Sequence, residues 1–257
     1  MMKEKIQQYL QEIENQKSIK ILLACETGSR AWGFPSPDSD YDIRLIYKHE
    51  KDWYLSLTEK KDTIELMLED NNLDISGWDL RKSLRLLWKS NSALLERIQS
   101  PIIYTCDTSF LEGINHLSEQ CYSKIATMHH YLSMSKKMYS EIDIEGDFKL
   151  KKLFYALRTA TACKWIIEKN SPPPIQFGIM LKELDIPEKI KARVNELIEL
   201  KSHHLESYLH KGEKEILDFI DATIGASDKL AKSLPASRAT INDLNDFFIK
   251  SLFGFRY

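Results

Sequence analysis

Cys25-Glu26-Thr27-Gly28-Ser29-Arg30-Ala31-Trp32-Gly33-Phe34 runs on through Pro35-Ser36-Pro37 into Asp38-Ser39-Asp40-Tyr41-Asp42-Ile43-Arg44-Leu45. Just upstream, Ile19 to Cys25 is a nearly continuous apolar run, as expected of a strand buried on both faces. That strand runs into Gly-Ser, and a second strand, Asp42 to Tyr47, opens on Asp-x-Asp. Side chains alternate along a strand, so Asp40 and Asp42 are expected on one face, their carboxylates close enough to share a cation. Two bare carboxylates at that spacing repel each other. A hard, oxygen-seeking ion such as Mg²⁺ relieves the repulsion and commonly takes its other ligands from water and substrate phosphates. The pair therefore predicts a phosphate-bearing substrate. Gly28 and Ser29 stand where the first strand ends and a turn or short helix begins, so backbone N–H groups there are placed to receive triphosphate oxygens. Glycine permits the close approach.

Further along, Thr63 to Leu68 is an element whose type the pattern leaves open, and Leu73 to Ser76 reads as a short strand. Asp74 lies between Leu73 and Ile75, so it faces away from the apolar side, the alternation that a strand-borne catalytic acid needs. It is the chosen third carboxylate, to bind a second metal and take the proton from an attacking hydroxyl. Asp79 is the alternative, and the turn-like cluster Asp70-Asn71-Asn72 offers a plainer reading of Asp74 as a surface turn residue. Trp78 to Lys89 carries Leu80, Leu84, Leu87 and Trp88 along one apolar stripe of a helix. Arg81 and Lys82 lie off that stripe, where they can reach triphosphate or acceptor, or can be no more than a solvated face. Asn91-Ser92 breaks the helix, a short helix follows to Ile98, and Ser100-Pro101 precedes a last strand, Ile102 to Thr105.

From about Ser109 the strand signals fade, and helical stretches cover 110–140, 148–169, 187–201 and 239–252. Arg158 shares a helical face with Lys151 and Tyr155. Ser171-Pro172-Pro173-Pro174 is a rigid connector. The expected class is α/β (α+β): strands with helices over residues 1–107, then an all-helical domain over 108–257. At 257 residues, two domains is also what length alone suggests, at roughly 150 residues per domain.

Composition excludes more than it selects. Hydrophobic residues at 43% and charged residues at 29% exclude disordered and fibrous classes. A formal net charge of -2 gives no general attraction to polyanions, so a nucleic acid would need a local basic face. Cys25, Cys106, Cys121 and Cys163 are scattered without a CxxC pair and read as reduced, buried thiols. Ile6, Leu10 and Ile13 make the N-terminus amphipathic rather than a signal peptide. No apolar run approaches the roughly 18 residues of a membrane span. A cytoplasmic protein without membrane contact is expected.

Rival motifs fail on particular residues. Asp38-x-Asp40-x-Asp42 opens like a calcium loop, but Ile43 and His49 stand where glycine and glutamate belong. Gly28 to Gly33 has P-loop spacing, yet Phe34-Pro35 replaces the lysine and hydroxyl residue. His129-His130 and His203-His204 point about 100° apart on a helix and lack partners for a metal. Ser29 is not in a Gly-x-Ser-x-Gly elbow, so it suits phosphate binding better than nucleophilic attack.

Gly-Ser, about ten residues, Asp-x-Asp on a strand and a later isolated Asp together resemble the nucleotidyltransferases of the DNA polymerase β superfamily. Gly28–Gly33, Asp38–Asp42, Gly77-Trp78-Asp79-Leu80-Arg81-Lys82 and Leu153–Arg158 extend the likeness to a bacterial RNA-repair-associated subgroup, the YcgL and RlaP group. The resemblance implies a polymerase β-like mixed sheet bearing the metal site in the first domain, a helical second domain that closes the cleft, and a Mg²⁺-dependent (or Mn²⁺-dependent) transfer of NMP from an NTP to an acceptor hydroxyl, an RNA 3′ end among the options, with pyrophosphate released. Carried over by position, Asp40, Asp42 and Asp74 would be catalytic and hold metal, while Gly28, Ser29, Arg30, Arg81, Lys82 and Arg158 would bind nucleotide. Two alternatives stay open: a catalytically silent nucleotide- or RNA-binding module of the same fold, and transfer to a protein or small-molecule hydroxyl.

Overall fold

The apolar run at the start of the quoted stretch forms β1 (Ile19–Glu26), in which Lys20 alone is exposed. In the computed structural model, which describes residues 2–68, 72–169, 171–237 and 239–254, β1 is flanked on both edges. β2 (Tyr41–His49) and β5 (Ile103–Cys106) pair with it antiparallel. β4 (Leu73–Asp79) pairs parallel with β2, and β3 (Thr63–Leu68) closes that edge antiparallel to β4. The order β3-β4-β2-β1-β5 makes one mixed sheet of five strands. The segment of undecided type is thus an edge strand, with Glu65 and Met67 exposed, as tolerated where one side of a strand meets water. Asp70 and Asn71 of the turn-like cluster lie outside the described residues.

One face of the sheet is sealed by α1 (Met2–Lys17), whose stripe of Ile6, Leu10 and Ile13 joins Ile43, Leu45, Tyr47, Leu73 and Ile75 in a single core cluster. The helix expected from Trp78 begins two residues later, because β4 continues to Asp79 and Asp79 then caps α4 (Leu80–Trp88), accepting the Arg81 N–H at 2.8 Å. Ser90 follows with a left-handed backbone, and Asn91 caps α5 (Ser92–Ile98). A short α2 (Gly28–Trp32) follows β1, and α3 (Lys51–Leu55) follows β2.

The helix expected over 110–140 divides into α6 (Thr108–Cys121) and α7 (Lys124–Ser140), because the Ser123 hydroxyl accepts the Ala126 N–H and starts a new helix. α8 (Leu150–Glu168), α9 (Phe177–Glu183), α10 (Glu188–Ser202), α11 (Lys214–Leu230) and α12 (Ile241–Phe253) follow. The region is helical apart from a two-residue ladder, β6 (Phe148–Lys149) with β7 (Leu209–His210), a departure from the all-helical expectation too short to carry a pattern.

Two compact units result: Met1–Gly28 with Asp40–Cys121 and Arg238–Tyr257, and Ser29–Ser39 with Tyr122–Ser237. They interleave along the chain, so α6 and α12 belong with the sheet and residues 29–39 with the helices, where the sequence expectation drew one division after residue 107. Phe34, Phe154 and Phe177 pack together inside the helical unit, with Phe34 and Phe154 stacked at 5.0 Å. Among the described residues no helix is long and apolar enough to cross a membrane.

In the sheet-bearing unit α6 meets α12 closely at Gly113, where a β-carbon would overlap the Phe247 ring, itself packed against Phe110. Gly113→Val is expected to lower the unfolding free energy by about 1 to 3 kcal/mol through overpacking. Urea titration reads this directly, and unchanged stability would show that the two helices do not touch there.

Candidate active site

Parallel pairing of β2 with β4 sets Asp42 directly opposite Asp74. Arg44, two residues beyond Asp42 and therefore on the same face, places one guanidinium nitrogen 2.7 Å from Asp42 Oδ1 and 2.7 Å from Asp74 Oδ2. A second guanidinium nitrogen donates to the Asp74 and Ile43 carbonyls at 2.8 and 3.1 Å. The cation thus offsets part of the repulsion between two acids, leaving a net negative charge, and fixes the direction in which both point. The Asp42 and Asp74 side chains remain 28% and 34% exposed, so a ligand from solvent can reach them.

The backbone at Asp42 is held on both sides. Its N–H donates to the carboxylate of Glu26 at 2.6 Å, and its carbonyl accepts the Thr27 N–H at 2.9 Å. Glu26 is fully buried, and its second oxygen accepts a short hydrogen bond from the Tyr104 hydroxyl. Gly28 has φ +64°, and a β-carbon there would overlap Asp42 Oδ2. The glycine is therefore required twice, for the left-handed bend and for room beside the carboxylate.

Arg97 adds a second positive charge near the pair. It is buried, donates to the Leu45 carbonyl at 3.1 Å and lies 3.3 Å from the centre of the Trp78 ring. Burial pushes its pKa down to about 9, so it stays charged at neutral pH, and its field acts on Asp74. The neighbouring Cys25 thiol is pushed up by burial to about 12, which makes it an inert packing group.

Other expected residues are placed differently. β2 starts at Tyr41, so the alternation that was to aim Asp40 does not extend to it; Asp40 is exposed just before the strand. Among the described residues no three acidic, histidine or cysteine side chains are gathered closely enough to hold a metal ion, so the structure brings together Asp42 and Asp74 and not the expected three carboxylates. Asp79 is buried, capping α4 and accepting the Tyr54 hydroxyl at 2.6 Å; burial raises its pKa above the ordinary carboxylate value. Arg81 donates to the Tyr54 carbonyl at 3.0 Å and Lys82 pairs with Asp62 at 3.0 Å, both beyond the far end of β4 from Asp74.

Within the helical unit, Ser29 is buried and its carbonyl accepts the N–H groups of Gly33 and Phe34. Arg30 reaches the Ser39 carbonyl at 2.7 Å and ties the two ends of the 29–39 loop. Arg158 is buried, 4.3 Å from the Trp32 ring centre, and donates to the Ile175 carbonyl. Lys201, itself buried, donates to the Ser36 hydroxyl at 2.8 Å. Glu206 accepts from Ser39 at 2.9 Å and from Lys151 at 2.8 Å, while its N–H donates to Asp38. The loop that leads into Asp40 is thereby held by charged groups of α8, α10 and the segment after it.

Sequence reasoning passed over Arg44 and Glu26. Arg44 was legible, since strand alternation puts it on the face of Asp42. Glu26 had a signal too, a carboxylate ending an otherwise apolar buried strand, which demands a partner.

Comparison with known proteins adds three findings. Residues 2–250 match the family described as RlaP: RNA repair pathway DNA polymerase beta family. The uncharacterized protein YcgL of Bacillus subtilis (strain 168) is 38% identical over 252 residues, which cover 98% of this chain and 96% of that protein. The crystal structure of a nucleotidyltransferase-like protein from Exiguobacterium sibiricum 255-15 shows 11% identity over 96% of this chain and 79% of that one, at a TM-score of 0.33.

Gly28→Ala is expected to destabilise the protein by more than the roughly 1 to 2 kcal/mol that a left-handed backbone costs an L-residue, because Asp42 must also move. Thermal or chemical unfolding tests this, and a neutral substitution would mean that the bend and the carboxylate are not in contact.

Proposed function

Because the chain belongs to the RNA repair pathway DNA polymerase beta family, we propose that it moves a nucleoside monophosphate from an NTP to an RNA 3′ hydroxyl and releases pyrophosphate. The observation that carries this reading is the pair Asp42 and Asp74, in register on adjacent parallel strands beside a glycine bend. Four unpaired cysteines suit a reducing compartment, which we take to be the cytoplasm.

The donor set fits Mg²⁺ or Mn²⁺, since it offers carboxylate oxygens, partly open to solvent, with no side chain at Gly28 to block a phosphate. Asp42 and Asp74, with exposed Asp40 nearby in sequence, would hold the ion, whose chemistry there is to neutralise triphosphate charge and acidify the acceptor hydroxyl. Glu26 and Thr27 keep the Asp42 backbone in place. Gly28 and Ser29 meet phosphate oxygens through their backbone. Asp74 takes the hydroxyl proton as the acceptor oxygen attacks the α-phosphorus. The new oxygen–phosphorus bond forms, the bond to the β-bridging oxygen breaks, and pyrophosphate leaves.

Incubation with each α-labelled NTP, Mg²⁺ or Mn²⁺ and cellular RNA tests the proposal. Label is expected in RNA with the wild-type protein and absent with Asp42→Asn. Asp74→Asn is expected to abolish transfer while NTP binding persists. Tight NTP binding without transfer to any acceptor would instead establish a silent binding module, and label in protein or a small alcohol would move the acceptor.

Arg44 now competes with any cation for both carboxylates. Arg44→Met is expected to tighten Mn²⁺ binding by about tenfold, equivalent to roughly 1.4 kcal/mol, read by calorimetry without any substrate. Unchanged or weaker binding would mean that the ion does not use this pair.

A further inference from the structure

Five residues along the parallel pair from Asp42 and Asp74, β2 and β4 reach Tyr47 and Asp79, a separation of about 16 Å at roughly 3.3 Å per residue. Beyond this end of the sheet two clefts lie side by side and share Arg81 and Arg85. One, of about 250 Å³, is lined mostly by polar groups that include Lys60 and Lys82. The other, of about 340 Å³, is walled by Leu84, Trp88, Leu244 and Phe248.

The acids of the polar cleft are largely spent on internal partners. Asp79 caps α4 and binds Tyr54, and Asp62 pairs with Lys82, which leaves Glu59 against Lys60, Arg81 and Arg85. Arg81 is fixed in advance: it donates to the Tyr54 carbonyl and lies 5.0 and 5.7 Å from the Tyr54 and Phe248 rings. The Arg85 side chain has neither hydrogen bond nor ion pair among the described residues. In the apolar cleft Trp88 is 44% exposed, a large flat surface left open to water.

An anion-binding cleft joined to an aromatic one matches the two chemical halves of a nucleotide, a phosphate for the guanidinium groups and a base for the rings. We infer that these clefts bind one nucleotide of the single-stranded RNA acceptor, upstream of its 3′ end. The inference rests on the nucleotidyl transfer proposed above. Stacked nucleotides advance about 3.4 Å each along a strand, so a site at least about 16 Å from the carboxylates would meet the acceptor about five or more nucleotides back from the reacting end. It also supplies the local basic face that a chain of net charge -2 needs to hold a polyanion.

Fluorescence anisotropy with a labelled single-stranded RNA of mixed sequence, over a salt series, tests this on the full chain. Arg85→Glu is expected to weaken binding at least about tenfold and to lower the salt slope by about one. Trp88→Ala is expected to weaken binding about tenfold and to leave the slope unchanged. Mn²⁺ and NTP binding should match wild type in both variants. RNA affinity unchanged in both variants overturns the site, and leaves the proposed reaction standing if the wild type still labels RNA. RNA binding that depends on Arg85 and Trp88 in a protein that transfers no label keeps the site and removes the reaction. AMP that displaces the RNA at concentrations comparable to the RNA itself, and loses this ability in both variants, would make the clefts a mononucleotide site and overturn the strand assignment.

Discussion

Two like charges brought together by strand register are the constraint around which the candidate site is built. Parallel pairing of β2 and β4 puts Asp42 and Asp74 side by side, and the ladder fixes the spacing of their backbones. Arg44 meets the resulting repulsion with a single nitrogen shared between them. The same spacing that calls for a positive charge is what the proposed divalent ion would use in its place. The neighbouring residues serve this arrangement. Glu26, Thr27 and Gly28 hold or make room for Asp42, while Arg97 adds a buried charge that interacts with Asp74.

Much of the fold was legible because the sheet obeys simple periodicities. A strand buried on both faces reads as an unbroken apolar run, and α1 and α4 show their stripes plainly. Boundaries set by side-chain caps were harder. Asp79 was weighed as a catalytic alternative and Trp78 as the start of a helix, but the strand continues through both, because Trp78 stacks on Arg97 and Asp79 is needed as a cap. Ser123 divided a helix whose apolar pattern continues past it. α9 and α11 lie within the region expected to be helical, but neither was picked out as a helical stretch of its own.

The site was legible in part. Gly28, Asp42 and Asp74 announce themselves by type, order and alternation, and the structure brings them into one neighbourhood. Pairing that depends on register cannot be read from one sequence, since nothing local says that residue 42 lies opposite residue 74. The basic residues were less legible still. Arg81 and Lys82 follow Asp74 closely in sequence, but an extended strand carries them away from it, whereas Arg30 and Arg158 are taken up by backbone carbonyls and aromatic rings of the helical unit.

The loop from Ser29 to Ser39 has a consequence for how this protein can be divided. Its charged and hydroxyl groups find their partners in Lys201 and Glu206, and its Phe34 is part of the helical core, yet along the chain it joins β1 to β2, the strand that carries Asp42. No single cut in the gene separates the two units, because each is assembled from segments that alternate along the chain. Truncation after residue 121 would keep residues 29–39 but remove Lys201 and Glu206, leaving Ser36 and Ser39 without these partners and the Phe34 ring without its aromatic neighbours.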